Sequence, residues 1–211
     1  MRFLREKAKY PKDRDLVRVL NAAAARVHGR LLSLDTETLG VSTTTKRVLR
    51  AQPEILSSHM HRCAHVFAWA LPSDDAPFSD LSLVAFGDGL GVLSLLAKEC
   101  GVGTVVYTDA DDVLCRDARI IAKTIGSRAD HYVCGDIEDV QFYVKRNSIP
   151  CDVFVSCDGI ERIDKPRAFF DTLYDLSDTE FSFGLAERTN NAPDGSRRRG
   201  NRSIRTRSAT R

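Results

Sequence analysis

The chain has little that would mark it as a membrane, secreted or metal-binding protein. No apolar run in its 211 residues reaches the roughly 18 that a membrane-spanning helix needs. Its first residues, Met1-Arg2-Phe3-Leu4-Arg5-Glu6-Lys7, carry no apolar leader stretch. The expectation is a soluble, cytoplasmic chain with no membrane partner. Cysteines at 63, 100, 115, 134, 151 and 157 include no CxxC pair, and no HExxH is present, so no metal is assigned. The dinucleotide fingerprint GxGxxG is also missing. Read from Gly87 its last position is Val92, and read from Gly89 it is Ser94. A nicotinamide-dependent oxidoreductase is therefore disfavoured.

Net charge of one sign is lacking too, at +2 overall, but the balance hides an asymmetry. Residues 81–180 carry 10 basic against 18 acidic side chains, whereas residues 1–80 carry 13 against 9 and residues 181–211 carry 8 against 2. An acidic middle does not suit a nucleic-acid groove. Apolar residues make up 43%, enough for a core and against wholesale disorder.

The first 80 residues read as helical. Leu16, Leu20, Ala23, Val27 and Leu31 recur at helical spacing within 11–34, where Gly29 is a candidate early end. A loop spans 35–45, a short helix 43–51, and a longer helix 53–71 built on Leu56, Met60, Ala64 and Phe67. On that wheel His61 and His65 flank the apolar face and Cys63 falls on the other side. Residues 72–80 form a polar linker with two prolines.

Beyond it strands alternate with helices. Strands are predicted at 81–86, 104–108, 131–134, 152–156 and 180–185, and helices from Gly91 through Glu99 and at 112–125, 137–145 and 165–176. Such alternation implies a parallel sheet covered on both faces. Cys134 and Cys157 sit in apolar strand text, where cysteine serves as a small hydrophobe. Residues 189–211 hold seven arginines and one large aliphatic residue, Ile204, and are predicted to be a disordered basic tail. The organisation read is 1–79 as a helical cap or substrate segment, 80–187 as a cofactor-binding domain and 188–211 as tail.

Four strand ends deliver a polar or glycine signal to one sheet edge: Gly87-Asp88-Gly89-Leu90-Gly91, Asp109, Gly135-Asp136 and Ser156-Cys157-Asp158. A glycine turn leading into a helix lets backbone approach a ligand and presents free N–H groups. A carboxylate closing the next strand can accept the hydroxyl protons of a ribose.

Over about residues 81–186 this pattern resembles the class I S-adenosylmethionine-dependent methyltransferases. Leu83–Gly91 is similar to their first motif, Val105–Asp109 to the second with its ribose-binding acid, Cys134–Asp139 to the adenine-contacting segment, and Cys151–Ile163 to the fourth-strand motif. The resemblance implies a Rossmann-like three-layer α/β sandwich with a mostly parallel sheet of about five strands, the family's last strands being missing after Leu185. It implies S-adenosylmethionine as cofactor, contacted by Phe86, Gly87, Asp88, Gly89, Gly91, Asp109, Ala110, Asp136, Ile137, Cys157 and Asp158. His61, His65 and Glu161 are weaker candidates for the substrate side, and no residue claims general-base duty. Two positions depart from the family: Ala85 stands where relatives carry an acidic residue, and Arg162 where many carry His.

Pro150-Cys151 precedes the fourth strand, the wrong place for the nucleophile of the 5-methylcytosine enzymes. The Asn/Asp-Pro-Pro-aromatic motif of nucleic-acid amino methyltransferases is replaced by Ser156-Cys157-Asp158-Gly159. A small-molecule acceptor is the reading, with nucleic-acid contact left to the basic tail, which lacks interleaved aromatics. The competing class is an inactive methyltransferase-like subunit whose last strand is an edge for a second copy or a partner chain.

Overall fold

A computed structural model describes residues 14–50, 53–71, 76–159, 163–176 and 182–186. The basic tail and Glu161 lie outside them. Three helices come first: α1 (Arg14–Leu32), α2 (Thr43–Arg50) and α3 (Pro53–Ala70). Five strands then alternate with four helices: β1 (Ser82–Phe86), α4 (Val92–Cys100), β2 (Thr104–Asp109), α5 (Asp112–Ile125), β3 (His131–Cys134), α6 (Ile137–Arg146), β4 (Val153–Cys157), α7 (Pro166–Tyr174) and β5 (Ser182–Ala186).

Helix α1 runs past Gly29 to Leu32, because Leu20, Ala23, Ala24, Val27 and Leu31 form one continuous buried stripe on both sides of that glycine. The predicted linker contains a 3-10 turn, Phe78–Asp80, held as Phe78 packs 6.1 Å from the Phe67 ring.

All five strands pair in parallel, in the order β3-β2-β1-β4-β5. The fold is an α/β Rossmann-like sandwich. Chain direction across the sheet reverses between β1 and β4, and at such a switch point the carboxyl ends of the strands open a crevice.

Strands β1, β2 and β4 are buried on both faces, as their unbroken apolar text requires. Leu83, Ala85, Val105, Tyr107, Val153 and Val155 face one way, toward α1, α3, α4 and α5. Val84, Val106, Val133 and Phe154 face the other, toward Ile137 and Val140 of α6 and Phe169 and Leu173 of α7. The period of two in the strands thus sorts residues between two cores.

Helix α3 packs against α1, α4, β4 and β5. Its burial covers a wide arc that includes Cys63, which is fully buried beside Met60 and Ala64. With neighbours on several sides, the helix has no solvent face at that position.

Candidate functional site

The turn after β1 needs its glycines. Gly87, Gly89 and Gly91 have φ of 63°, 55° and 81°, a left-handed region that disfavours side chains. Gly87 also packs against Gly159, where a Cβ on Gly87 would lie 3.4 Å from the Gly159 Cα. The loops leaving β1 and β4 therefore meet backbone to backbone.

Gly89 is gripped from β2. Its N–H donates to Asp109 Oδ2 at 2.8 Å, and its carbonyl oxygen accepts from the Tyr107 hydroxyl at 2.7 Å. Tyr107 is fully buried and lies in register with Ala85 on the neighbouring strand. The small residue at 85 leaves that face of the sheet to the ring. Two β2 side chains, Tyr107 and Asp109, thus hold the turn.

Asp109 also accepts from the Asp111 N–H through Oδ1 at 3.0 Å. Each oxygen keeps a second lone pair, so the carboxylate can still receive hydroxyl donors.

Asp88 does not present its carboxylate to the crevice. It is buried, and its two oxygens accept from the Leu93 and Ser94 N–H groups at 2.8 Å each, capping α4. Burial pushes its pKa up to about 6, against the pull of those N–H groups toward the anion. Gly91 likewise faces inward, toward Ala118 and Tyr107.

A cavity of about 400 Å³ opens where β1, β2 and β3 end. Six of the sequence-predicted residues line it together: Phe86, Gly87, Asp109, Ala110, Asp136 and Ile137. The rest of its wall comes from Gly159 and from the approach and first turns of α7, including Ile163, Lys165, Phe169 and Thr172. Phe86 and Phe169 stand 5.3 Å apart, ring to ring, and form an apolar wall.

Asp136 doubles as the N-cap of α6. Its Oδ1 accepts from the Glu138 and Asp139 N–H groups, and Asp139 accepts in return from the Asp136 N–H. Gly135 is what allows that return, since a Cβ there would collide with the Asp139 carboxylate.

The remaining predicted residues fall into a second cluster, on the α3 side of β4. Asp158, at φ 64°, accepts from Arg62 Nη2 at 2.7 Å, and His59 Nδ1 lies 3.6 Å away. Burial alone would raise the Asp158 pKa. Bonds from His59 and Arg62 outweigh it and hold the carboxyl below its usual range.

Cys157 is buried in the same seam and offers its sulfur beside His59 and Cys63. Neither Cys157 nor Asp158 lines the cavity; only the neighbouring Gly159 does. His61 and His65 pack against each other, ring centroids 4.2 Å apart and planes tilted by 54°, and do not line it either.

Sequence reasoning missed the α7 wall, and it weighed His59 and Cys63 only as metal partners of His61 and His65, not as a His59–Arg62–Cys63 set facing Cys157 and Asp158. The wall had a signal in Pro166, a helix start that projects Ala168, Phe169 and Thr172 from one end. The set had one in its spacing, i, i+3 and i+4 along α3, which places all three near one line of a helix.

No protein-family model matches the chain, and no curated protein matches it. Among solved structures, a Thermoplasma acidophilum protein designated 1320 aligns at 16% identity with a TM-score of 0.42, over 74% of this chain and 66% of its own. The plantazolicin methyltransferase BpumL, solved in complex with SAH, aligns at 15% identity with a TM-score of 0.44, over 81% of this chain. The present chain spans 61% of that protein's length.

Proposed function

We propose that the chain is an S-adenosylmethionine-dependent methyltransferase acting on a small-molecule acceptor. One observation carries the reading. The motif residues of three consecutive strands converge on a single cavity at the switch point, with the Asp109 carboxylate at its wall. Its roughly 400 Å³ falls within the range of small-molecule sites.

The residues fit the cofactor. Asp109 would accept the ribose hydroxyls. Phe86, Ile137 and Phe169 supply apolar surface for the adenine. The Gly87–Gly91 backbone lets the methionine part approach without side-chain obstruction. Residues 1–79 would form the acceptor side, with α3 reaching the carboxyl edge through Arg62 and Asp158.

When bound, the cofactor supplies an already activated methyl group on a sulfonium. The chain's own contribution is then to hold two reactants in line and exclude water. Among the described residues, Lys165 is the cationic side chain on the cavity wall.

A second reading, a binding subunit that does no chemistry, draws support from β5. Among the described residues it is the terminal strand of the sheet, so its outer backbone groups can take a strand from a partner.

Calorimetric titration with S-adenosylmethionine and S-adenosylhomocysteine separates the two. Micromolar binding that falls at least tenfold in Asp109→Ala is expected, since a hydrogen bond to a charged group contributes about 1.5–3 kcal/mol. A folded chain that binds neither compound overturns the enzyme reading.

A further inference from the structure

We infer that His59, Cys63 and Cys157 form a binding site for a thiophilic divalent metal, zinc above all, at the seam between α3 and β4. The His59 imidazole and the two sulfurs each offer one donor atom, and the three donors lie within 4.8 Å of one another. His59 Nε2 stands 3.7 Å from the Cys63 sulfur.

Bonds of about 2.3 Å to sulfur and 2.0–2.1 Å to nitrogen set tetrahedral donors some 3.4–3.8 Å apart. The cluster needs a contraction of no more than about 1 Å to close on an ion.

The surroundings are those of a ligating histidine. With Nε2 given to metal, the ring proton resides on Nδ1, which faces Asp158 Oδ2 at 3.6 Å. A carboxylate behind a ligating imidazole fixes its tautomer and ring orientation. Arg62 holds the same Asp158 oxygen at 2.7 Å and lies 3.3 Å from His59 Nδ1.

Two thiolates neutralise a divalent ion and Arg62 neutralises Asp158, while the buried Asp88 is a further carboxylate that acts on Cys63. Metal-free Cys63 is a neutral thiol, its pKa raised by the hydrogen bond with Cys157 and by burial. Each cysteine binds as thiolate and gives its proton to solvent.

Two thiolates and an imidazole select zinc over magnesium or calcium, which take oxygen donors. Among the described residues no fourth histidine, cysteine or carboxylate joins the group, so the last position is left to water or an added ligand. The side chain of His59 is 28% exposed and marks the entry path.

The test uses the full-length reduced chain, titrated with Co²⁺ alone and then Zn²⁺, without any adenosyl compound. The expected result is one Co²⁺ per chain with tetrahedral visible bands and near-ultraviolet sulfur-to-cobalt charge transfer, displaced by Zn²⁺. The signal should vanish in Cys63→Ser and in Cys157→Ser and survive in Cys115→Ser and Cys134→Ser. Asp158→Asn should weaken binding about 10- to 100-fold.

X-ray absorption on the zinc-loaded wild type, which needs no variant to fold, should show two sulfurs at about 2.3 Å and at least one nitrogen at about 2.0 Å. A folded, reduced chain that takes up no stoichiometric metal overturns the inference. So does retention of the cobalt spectrum in both cysteine variants, or an absorption edge without sulfur.

Discussion

The Tyr107 hydroxyl donates to the Gly89 carbonyl oxygen at 2.7 Å, a bond between the middle of β2 and the glycine turn after β1. With Asp109 on the Gly89 N–H, it fixes the orientation of a peptide group whose residue sits at φ 55°. Glycine at such an angle is free to wander unless something holds it.

Tyr107→Phe removes only the hydroxyl and keeps the buried ring. The Gly89 carbonyl then loses its partner, at a cost of about 1 kcal/mol, or about 2–4 °C in melting temperature for a chain of this size. Because the turn borders the cavity, affinity for S-adenosylhomocysteine should fall several-fold more than stability alone explains. Calorimetry beside a thermal melt checks this, and unchanged affinity would show that the turn does not need the tether.

Asp136 carries two roles that substitution can separate. Asp136→Ala removes the α6 cap and should lower stability by about 1 kcal/mol. Asp136→Asn keeps a capping oxygen while removing the charge at the cavity wall. If the residue meets ligand, Asn should retain the melting temperature and still lose cofactor affinity. Equal affinity in Asn and wild type would reduce Asp136 to a cap.

Much of this was legible because buried parallel strands write themselves as short apolar runs. The bounds of α5 and β3 coincide with those read from the sequence, and the structure shows Asp111 capping one end of α5 and Gly126 closing the other. Carboxylates at strand ends were legible as a set but not by role. Asp88 and Asp109 both follow apolar strand text and both precede a small residue, Gly89 and Ala110. Yet one is consumed by the α4 N–H groups and the other faces the cavity. That choice depends on which way a left-handed turn aims its side chain. The Arg62–Asp158 pair joins residues 96 positions apart, and the burial of Cys63 depends on α3 being enclosed on several sides. Neither leaves a local trace.

The Arg62–Asp158 pair should matter to folding, since its side chains are only 28% and 15% exposed. Arg62→Leu leaves the carboxylate with His59 as its remaining side-chain neighbour. Removing one partner of a fully buried pair costs about 3–5 kcal/mol, and partial exposure lowers the expectation to roughly 2. Asp158→Asn in the same chain should recover part of the loss, because Asn tolerates the left-handed backbone at φ 64°. Asp158→Ala should recover less. Chemical denaturation of the single and double variants checks the order.

Asp88 gives the fold a pH dependence of definite sign. Its pKa is raised by burial to about 6, above the 3.8 of an ordinary aspartate. Between those values the folded chain keeps a proton that the unfolded chain has released, so stability falls as pH rises through the window. The full effect is on the order of 3 kcal/mol, reached once pH passes 6. Asp88→Asn removes the titration and keeps one acceptor for the α4 N–H groups, at a cost of about 1 kcal/mol in acid. The difference between wild-type and variant stabilities, measured by urea denaturation from pH 4 to pH 7, should therefore favour wild type at the acid end and shrink or reverse by neutrality. A difference that stays flat would mean that Asp88 titrates as an ordinary carboxylate, its desolvation fully offset by the two N–H groups it caps.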